Sequence, residues 1–432
     1  MNAFFHSVAL EKDKCIGCTS CIKRCPTEAI RVRNGKAQIS ARHCIDCGEC
    51  IRVCSRGAKR AHSTRLSALE NWEYKVAIPA PALFGQFNHL DDIDIVLNGL
   101  KKIGFDGVYE VSRGAEIVTD VTRRMLAEKK LKLPVISSAC PAVVRLIRQR
   151  FPGLIDNVLP IKAPMEVTAR IAKTEFSEKY GVPMEKIGVF FITPCPAKVT
   201  DFAAPIGSAR SWVDGAISIA KIYPKLSEAM DKEVDLNNLE RIAKSGMIGV
   251  RWATSGGESK AAVEDRYLYA DGIENVINVL EQLEDERIQD IDFIELNACN
   301  GGCVGGVLCV ENPYIAKARI QRLNKFLPET QNHYDKSMNA MINWTRELEY
   351  TPVMKLSDDL EQAITMMDEI EELRTRLPGI DCGSCGSPTC KAFAEDVVRG
   401  KVNESDCIFI LKQKVKNAAA ALSQLGVDDD SK

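Results

Sequence analysis

The stretch Ile291-Asp-Phe-Ile-Glu-Leu-Asn-Ala-Cys-Asn-Gly-Gly-Cys-Val-Gly-Gly306 sets a short apolar run directly before two cysteines and two pairs of glycines. A run of this length bounded by turn residues reads as a buried strand, with Cys299 at its carboxyl end. The arrangement recurs in Leu133-Pro-Val-Ile-Ser-Ser-Ala-Cys140-Pro141 and in Ile187-Gly-Val-Phe-Phe-Ile-Thr-Pro-Cys195. Further apolar runs at Lys75-Val-Ala-Ile-Pro-Ala and Gly107-Val-Tyr-Glu-Val alternate with amphipathic segments such as 115–130 and 141–150. This is the pattern of buried parallel strands joined by helices. Open α/β sheets collect ligands outside the carboxyl ends of their strands, so Cys140, Cys195, Cys299 and Cys303 are expected to meet in one place.

Around this core the composition sets bounds. The chain has 432 residues, 45% of them apolar, with 57 basic against 59 acidic side chains and a formal charge of −2. That length predicts two or three globular domains, and the near-neutral balance argues against a nucleic-acid binder. No apolar stretch approaches the roughly 20 residues that cross a bilayer. The opening residues lack both an apolar signal core and a transit-peptide bias, so a cytoplasmic protein is expected. The 17 cysteines lie in tight groups, which in a reducing compartment indicates metal rather than disulfides.

Cys15-x2-Cys18-x2-Cys21-x3-Cys25 recurs 29 residues later as Cys44-x2-Cys47-x2-Cys50-x3-Cys54. Three thiolates at this pitch wrap one face of a [4Fe–4S] cube while the fourth points to a second cube. Cys15, Cys18, Cys21 and Cys54 are therefore assigned to one cube, and Cys44, Cys47, Cys50 and Cys25 to the other. Zinc is the rival, but zinc sites rarely need two interleaved sets of four. The segment resembles a bacterial two-cluster ferredoxin. Residues 1–70 hold thirteen Lys/Arg and six Asp/Glu; two cubes of about −2 each reduce this +7 to about +3, so the basic surface reads as cluster compensation. His43 reads as an ordinary surface or supporting residue.

Ser137-Ser-Ala-Cys140-Pro141, Thr193-Pro-Cys195-Pro-Ala-Lys198 and Glu295-Leu-Asn-Ala-Cys299-Asn-Gly-Gly-Cys303 resemble the three signature segments of the [FeFe]-hydrogenase catalytic domain, and the resemblance runs over about residues 75–320. It implies that Cys140, Cys195, Cys299 and Cys303 hold a [4Fe–4S] cube. It implies also that Cys303 bridges to a two-iron subcluster bearing CO, cyanide and a dithiolate bridge, the whole being the H-cluster. Lys198 would donate to a cyanide, and the glycines at 301, 302, 305 and 306 would let the backbone approach the inorganic group. The chain departs from the family where hydrogen producers carry a proton-relaying cysteine: here stands Ala139, whose methyl group cannot relay a proton. Thr193 and Asn297 replace methionines, and the helix Glu116-Ile-Val-Thr-Asp120 offers no alignable pair of relay glutamates. These departures resemble the sensory branch of the family. Glu258, in Ser255-Gly-Gly-Glu-Ser-Lys260, reads either as a substitute general acid/base or as an exposed glutamate at a helix start. Cys309 reads as a buried free thiol.

In the last segment, Asp358–Gly379 reads as a helix with Leu360, Ile364, Met367, Ile370 and Leu373 on one apolar face and the Met366-Met367 pair in the core. Cys382, Cys385, Cys390 and Cys407 follow, resembling the four-cysteine module of corrinoid iron–sulfur proteins and implying a fourth [4Fe–4S] cube, with a zinc knob as the alternative. A terminal helix over 408–425 and a disordered tail from Asp428 close the chain. The expected architecture is thus an α/β catalytic domain with parallel sheets over 71–375, an α+β two-cluster ferredoxin-like domain over 1–70 and a small iron–sulfur domain over 376–432. The expected chemistry is slow, reversible interconversion of H2 and protons, used for hydrogen or redox sensing. The alternative is a hydrogenase-fold scaffold or electron carrier without the two-iron unit. Expected partners are a redox protein such as ferredoxin, a separate signalling protein and maturation proteins, with neither nucleic acid nor membrane.

Overall fold

All five apolar runs form strands, and every strand pairing in the two central sheets is parallel. The structure is a computed structural model that describes residues 6–231, 239–353 and 355–424. The larger sheet runs in the order Gly107–Val108, Tyr74–Pro79, Ile187–Thr193 and Gly215–Ser218, with Ala77 opposite both Val108 and Phe190. The smaller runs Tyr267–Asp271, Phe293–Asn297 and Val135–Ile136. All seven residues of Ile187–Thr193 are buried, as expected of a central strand covered on both faces. The helices Val111–Ala127, Pro141–Arg150 and Pro164–Tyr180 contribute Val118, Leu146 and Ala172 to the apolar clusters around these strands.

Two strands of these sheets escaped the sequence reading. Gly215–Ser218 is only four residues long, and Tyr267–Asp271 is a partly exposed edge strand.

The chain divides into two units, one of Met1–Ala9, Ile45–Gly48 and Ala61–Thr351, the other of Leu10–Cys44, Glu49–Arg60 and Pro352–Lys432. These units do not follow the expected limits of 1–70, 71–375 and 376–432: residues 45–48 and 61–70 fall in the first unit, and residues 352–375 in the second. The helix Leu360–Arg376 buries Ile370 and Leu373 against Leu377, Phe393, Ala394 and Cys407, so it belongs with the final module. Its expected apolar face is also only half used: Leu360, Ile364 and Met367 are exposed, and Met367 is not core. The helix Ile408–Gln424 forms as expected, whereas the tail from Asp428 lies outside the described residues.

Within the second unit the repeat is visible in backbone detail. Ala29 N–H donates to Cys25 Sγ at 3.2 Å, and Ala58 N–H donates to Cys54 Sγ at 3.3 Å, the same contact 29 residues on. Strands Ile30–Arg33 and Lys36–Ile39 pair antiparallel. The final module seats on this hairpin: Val32 N–H donates to Gly386 O at 2.8 Å, and Arg31 and Arg33 converge on the buried Asp396 at 2.5 and 2.7 Å.

Candidate functional site

Cys140 and Cys195 each end a loop that leaves a strand and begins a helix, Pro141–Arg150 and Pro196–Ala203. Proline at the first helical position has φ preset for the helix and lacks an N–H that would have had no partner. Each thiol therefore sits at a helix amino terminus, where the local partial positive charge favours an anion. Cys299 follows the strand Phe293–Asn297, and Cys303 opens the short turn Cys303–Gly305.

All four cysteines line one cavity, together with Ala139, Lys198, Glu258 and Glu295. Burial pushes the Cys303 thiol up to about 12, while Lys198 pulls the other way. Burial, and then the neighbouring Cys140, push Cys195 up to about 11. Thiols crowded this way stay neutral until a cation takes their protons' place, and four convergent soft donors suit iron–sulfur chemistry. Lys198 Nζ donates to Ala139 O at 2.9 Å, at the edge of the same cavity.

Glu258 is not the exposed helix-start residue of the second sequence reading. It is 5% exposed, its two oxygens lie 2.8 and 2.7 Å from Ser137 Oγ, and Ser137 Oγ accepts from Ala139 N–H at 3.1 Å. Burial raises its pKa, and the Glu295 charge raises it further. Glu295, which the sequence reading missed, accepts from Gly256 N–H at 3.0 Å, Ser259 N–H at 2.9 Å and Asn297 Nδ2 at 2.7 Å. Its signal was present: a carboxylate inside the apolar run Phe-Ile-Glu-Leu is costly to bury without purpose. Glu116 lies elsewhere, its carboxylate taking the N–H groups of Gly246, Gln331 and Asn332 and so clamping a loop. Thr193 Oγ1 accepts from Cys195 N–H at 3.1 Å. Cys309 is half-buried rather than buried, its Sγ 3.7 Å from Cys303 O.

The glycines serve a second purpose beside the one expected, for Gly302 and Gly306 line the cavity of the four cysteines and also meet backbone from distant segments. A Cβ on Gly302 would lie 2.4 Å from Ser255 N, and one on Gly306 would lie 2.2 Å from Pro194 O. They let the signature loops close on one another. Gly302 also has φ +90°, so Gly302→Ala is expected to cost at least about 2 kcal/mol of stability, read by denaturant unfolding of the iron-free protein.

In the second unit Cys382, Cys385, Cys390 and Cys407 line one small cavity. Cys15 and Cys18 both act electrostatically on Cys21, so these three thiols are close neighbours. Of the other set, Cys25, Cys44 and Cys50 fall in the second unit and Cys47 in the first.

Comparison with known proteins agrees with this geometry. Residues 73–267 and 225–307 match the family described as the iron-only hydrogenase large subunit, C-terminal domain. Residues 7–55 match a 4Fe-4S dicluster domain, and 377–409 match an Fe-S cluster family. Iron hydrogenase 1 of Clostridium pasteurianum is 22% identical over 375 residues, covering 69% of this chain and 64% of that protein. The NADP-reducing hydrogenase subunit HndD of Solidesulfovibrio fructosivorans is 26% identical over 257 residues, covering 48% and 44%. The chain thus matches less than two thirds of either relative's length. A cytosolic Fe-S cluster assembly factor, the NAR1 homolog of Schizosaccharomyces japonicus, is 33% identical over 63 residues, or 15% of this chain and 12% of that one.

Proposed function

Because the chain belongs to the iron-only hydrogenase large-subunit family, we propose that it interconverts H2 with protons and electrons, slowly, and that this reports hydrogen or redox state to a separate signalling protein. The observation that carries the reading is the convergence of Cys140, Cys195, Cys299 and Cys303 on one cavity beside Lys198 and Glu258. In this reading the four thiolates would hold a [4Fe–4S] cube, and Cys303 would also hold a two-iron unit with CO, cyanide and dithiolate ligands supplied by maturation proteins. When bound, that group supplies the redox centre at which H2 is split or formed.

The chain's own residues handle position and protons. Lys198 holds the Ala139 carbonyl and presents its ammonium to the cavity, where it would donate to an anionic ligand. Ala139 contributes only a methyl group, so proton transfer falls to Glu258, kept largely protonated by burial and by Glu295. Ser137 fixes its orientation. Twelve further cysteines would hold three accessory cubes: Cys15, Cys18, Cys21 and Cys54; Cys44, Cys47, Cys50 and Cys25; and Cys382, Cys385, Cys390 and Cys407. Electrons would enter from a ferredoxin-like carrier in the cytoplasm. Among the described residues no helix is long and apolar enough to cross a membrane.

The similarity to an Fe-S cluster assembly factor favours a second reading, an electron carrier or scaffold without the two-iron unit. Infrared spectroscopy after maturation separates the two: bands of metal-bound CO and cyanide support the first, and their absence supports the second. If Ala139 is what limits turnover, Ala139→Cys should raise hydrogen evolution about 10²-fold, the usual worth of a positioned proton carrier. No gain in a fully loaded variant would remove the missing relay as the cause of slowness.

A further inference from the structure

The amino-terminal repeat equates Cys25 with Cys54 and Ala29 with Ala58, and the matching N–H to sulfur contacts show that the equivalence holds in three dimensions. The next pair breaks the symmetry. Ile30 is an apolar core residue, 2% exposed, whereas its counterpart Lys59 is 3% exposed. Lys59 Nζ is buried and has no hydrogen-bond partner among the described residues.

An ammonium group left in an apolar position is costly unless an opposite charge lies close by. Among the described residues no carboxylate accepts from it. What lies near is the thiol set of the first cube: Lys59 follows Ala58, whose N–H donates to Cys54 Sγ at 3.3 Å, and its charge acts on both Cys15 and Cys21. An orphaned cation of this kind fits an anionic cluster. With four thiolates an oxidised cube carries about −2 and, on taking one electron, about −3. A nearby fixed positive charge stabilises the second state more than the first and so raises the reduction potential. The other repeat has isoleucine at the same place.

We propose that Lys59 holds the cube of Cys15, Cys18, Cys21 and Cys54 at a higher potential than the cube of the other repeat, so that an electron from a one-electron donor rests there. This rests on the iron–sulfur reading given above. The two cubes then play different parts, one collecting the electron and the other passing it only when driven.

The test is a potentiometric titration of the reconstituted full-length protein with dithionite, the four-iron signals being followed by electron paramagnetic resonance. Wild type is compared with Lys59→Ile, Lys59→Met and Lys59→Arg, and Cys18→Ser marks which signal belongs to the first cube. The expected result is that this signal moves to more negative potential in Lys59→Ile and Lys59→Met and stays in place in Lys59→Arg. Loss of that cube alone in the two neutral variants, with Lys59→Arg intact, also supports the charge pairing. An unmoved signal in both neutral variants at full iron content overturns the proposal, and so does loss of the cube in all three, which would make Lys59 a packing residue. Wild type with iron loaded but no four-iron signal would instead overturn the iron–sulfur reading itself.

Discussion

Hydrogen–deuterium exchange by the fully loaded protein is expected to fall about 10²-fold in Glu258→Gln, while infrared bands of metal-bound diatomics stay in place. Glutamine keeps the shape and can still meet Ser137 Oγ, which lies within 2.8 Å of both carboxylate oxygens, but it cannot take up and release a proton. Exchange unchanged in a loaded variant would remove Glu258 from the proton route. The same substitution has a thermodynamic signature in the iron-free protein. Burial first, and the Glu295 charge second, raise the Glu258 pKa above its ordinary 4.5. Above that ordinary value the unfolded chain releases this proton while the folded chain still holds it. The folded state then binds more protons, and stability falls as pH rises, until the raised pKa is passed. Glu258→Gln should therefore flatten the decline of thermal stability on the alkaline side of pH 4.5. A parallel decline in both proteins would mean that Glu258 does not hold its proton.

The largest expected effect is that of Cys303→Ala: exchange below detection and loss of the infrared bands attributed to the two-iron unit. Cys303 is half-buried in the cavity wall, and desolvation pushes its thiol up to about 12. Iron must therefore displace its proton, and loading should release protons and proceed faster at higher pH. A methyl group offers no sulfur for either iron group. Infrared bands persisting in this variant would show that the tether is another residue.

The sheets and the convergence of four cysteines were legible from sequence for one local reason. A short loop that leaves a buried strand and closes on Cys-Pro sets its cysteine at a helix amino terminus, and this happens at both Cys140 and Cys195. What sequence could not supply was orientation. Leu360, Ile364 and Met367 lie on the same helical stripe as Ile370 and Leu373, yet only the latter two meet a partner, because periodicity describes a face and not what covers it. Glu295 was passed over because an acidic residue in a strand reads equally as edge or core until Gly256 and Ser259 bring their amides to it. The glycines beside Cys303 were visible, but their close neighbours are backbone atoms of Ser255 and Pro194 contributed by distant segments.

The hairpin at Ile30–Ile39 takes one of its backbone partners from Gly386, and its two arginines take their carboxylate from Asp396. A ribosome delivers these pieces more than 350 residues apart, so until Asp396 emerges Arg31 and Arg33 lack the anion that the finished protein gives them. The hairpin therefore reaches its final form only after Gly386 and Asp396 have emerged, and a product terminated before them would lack that seal, leaving an imperfect iron–sulfur unit for proteases to remove.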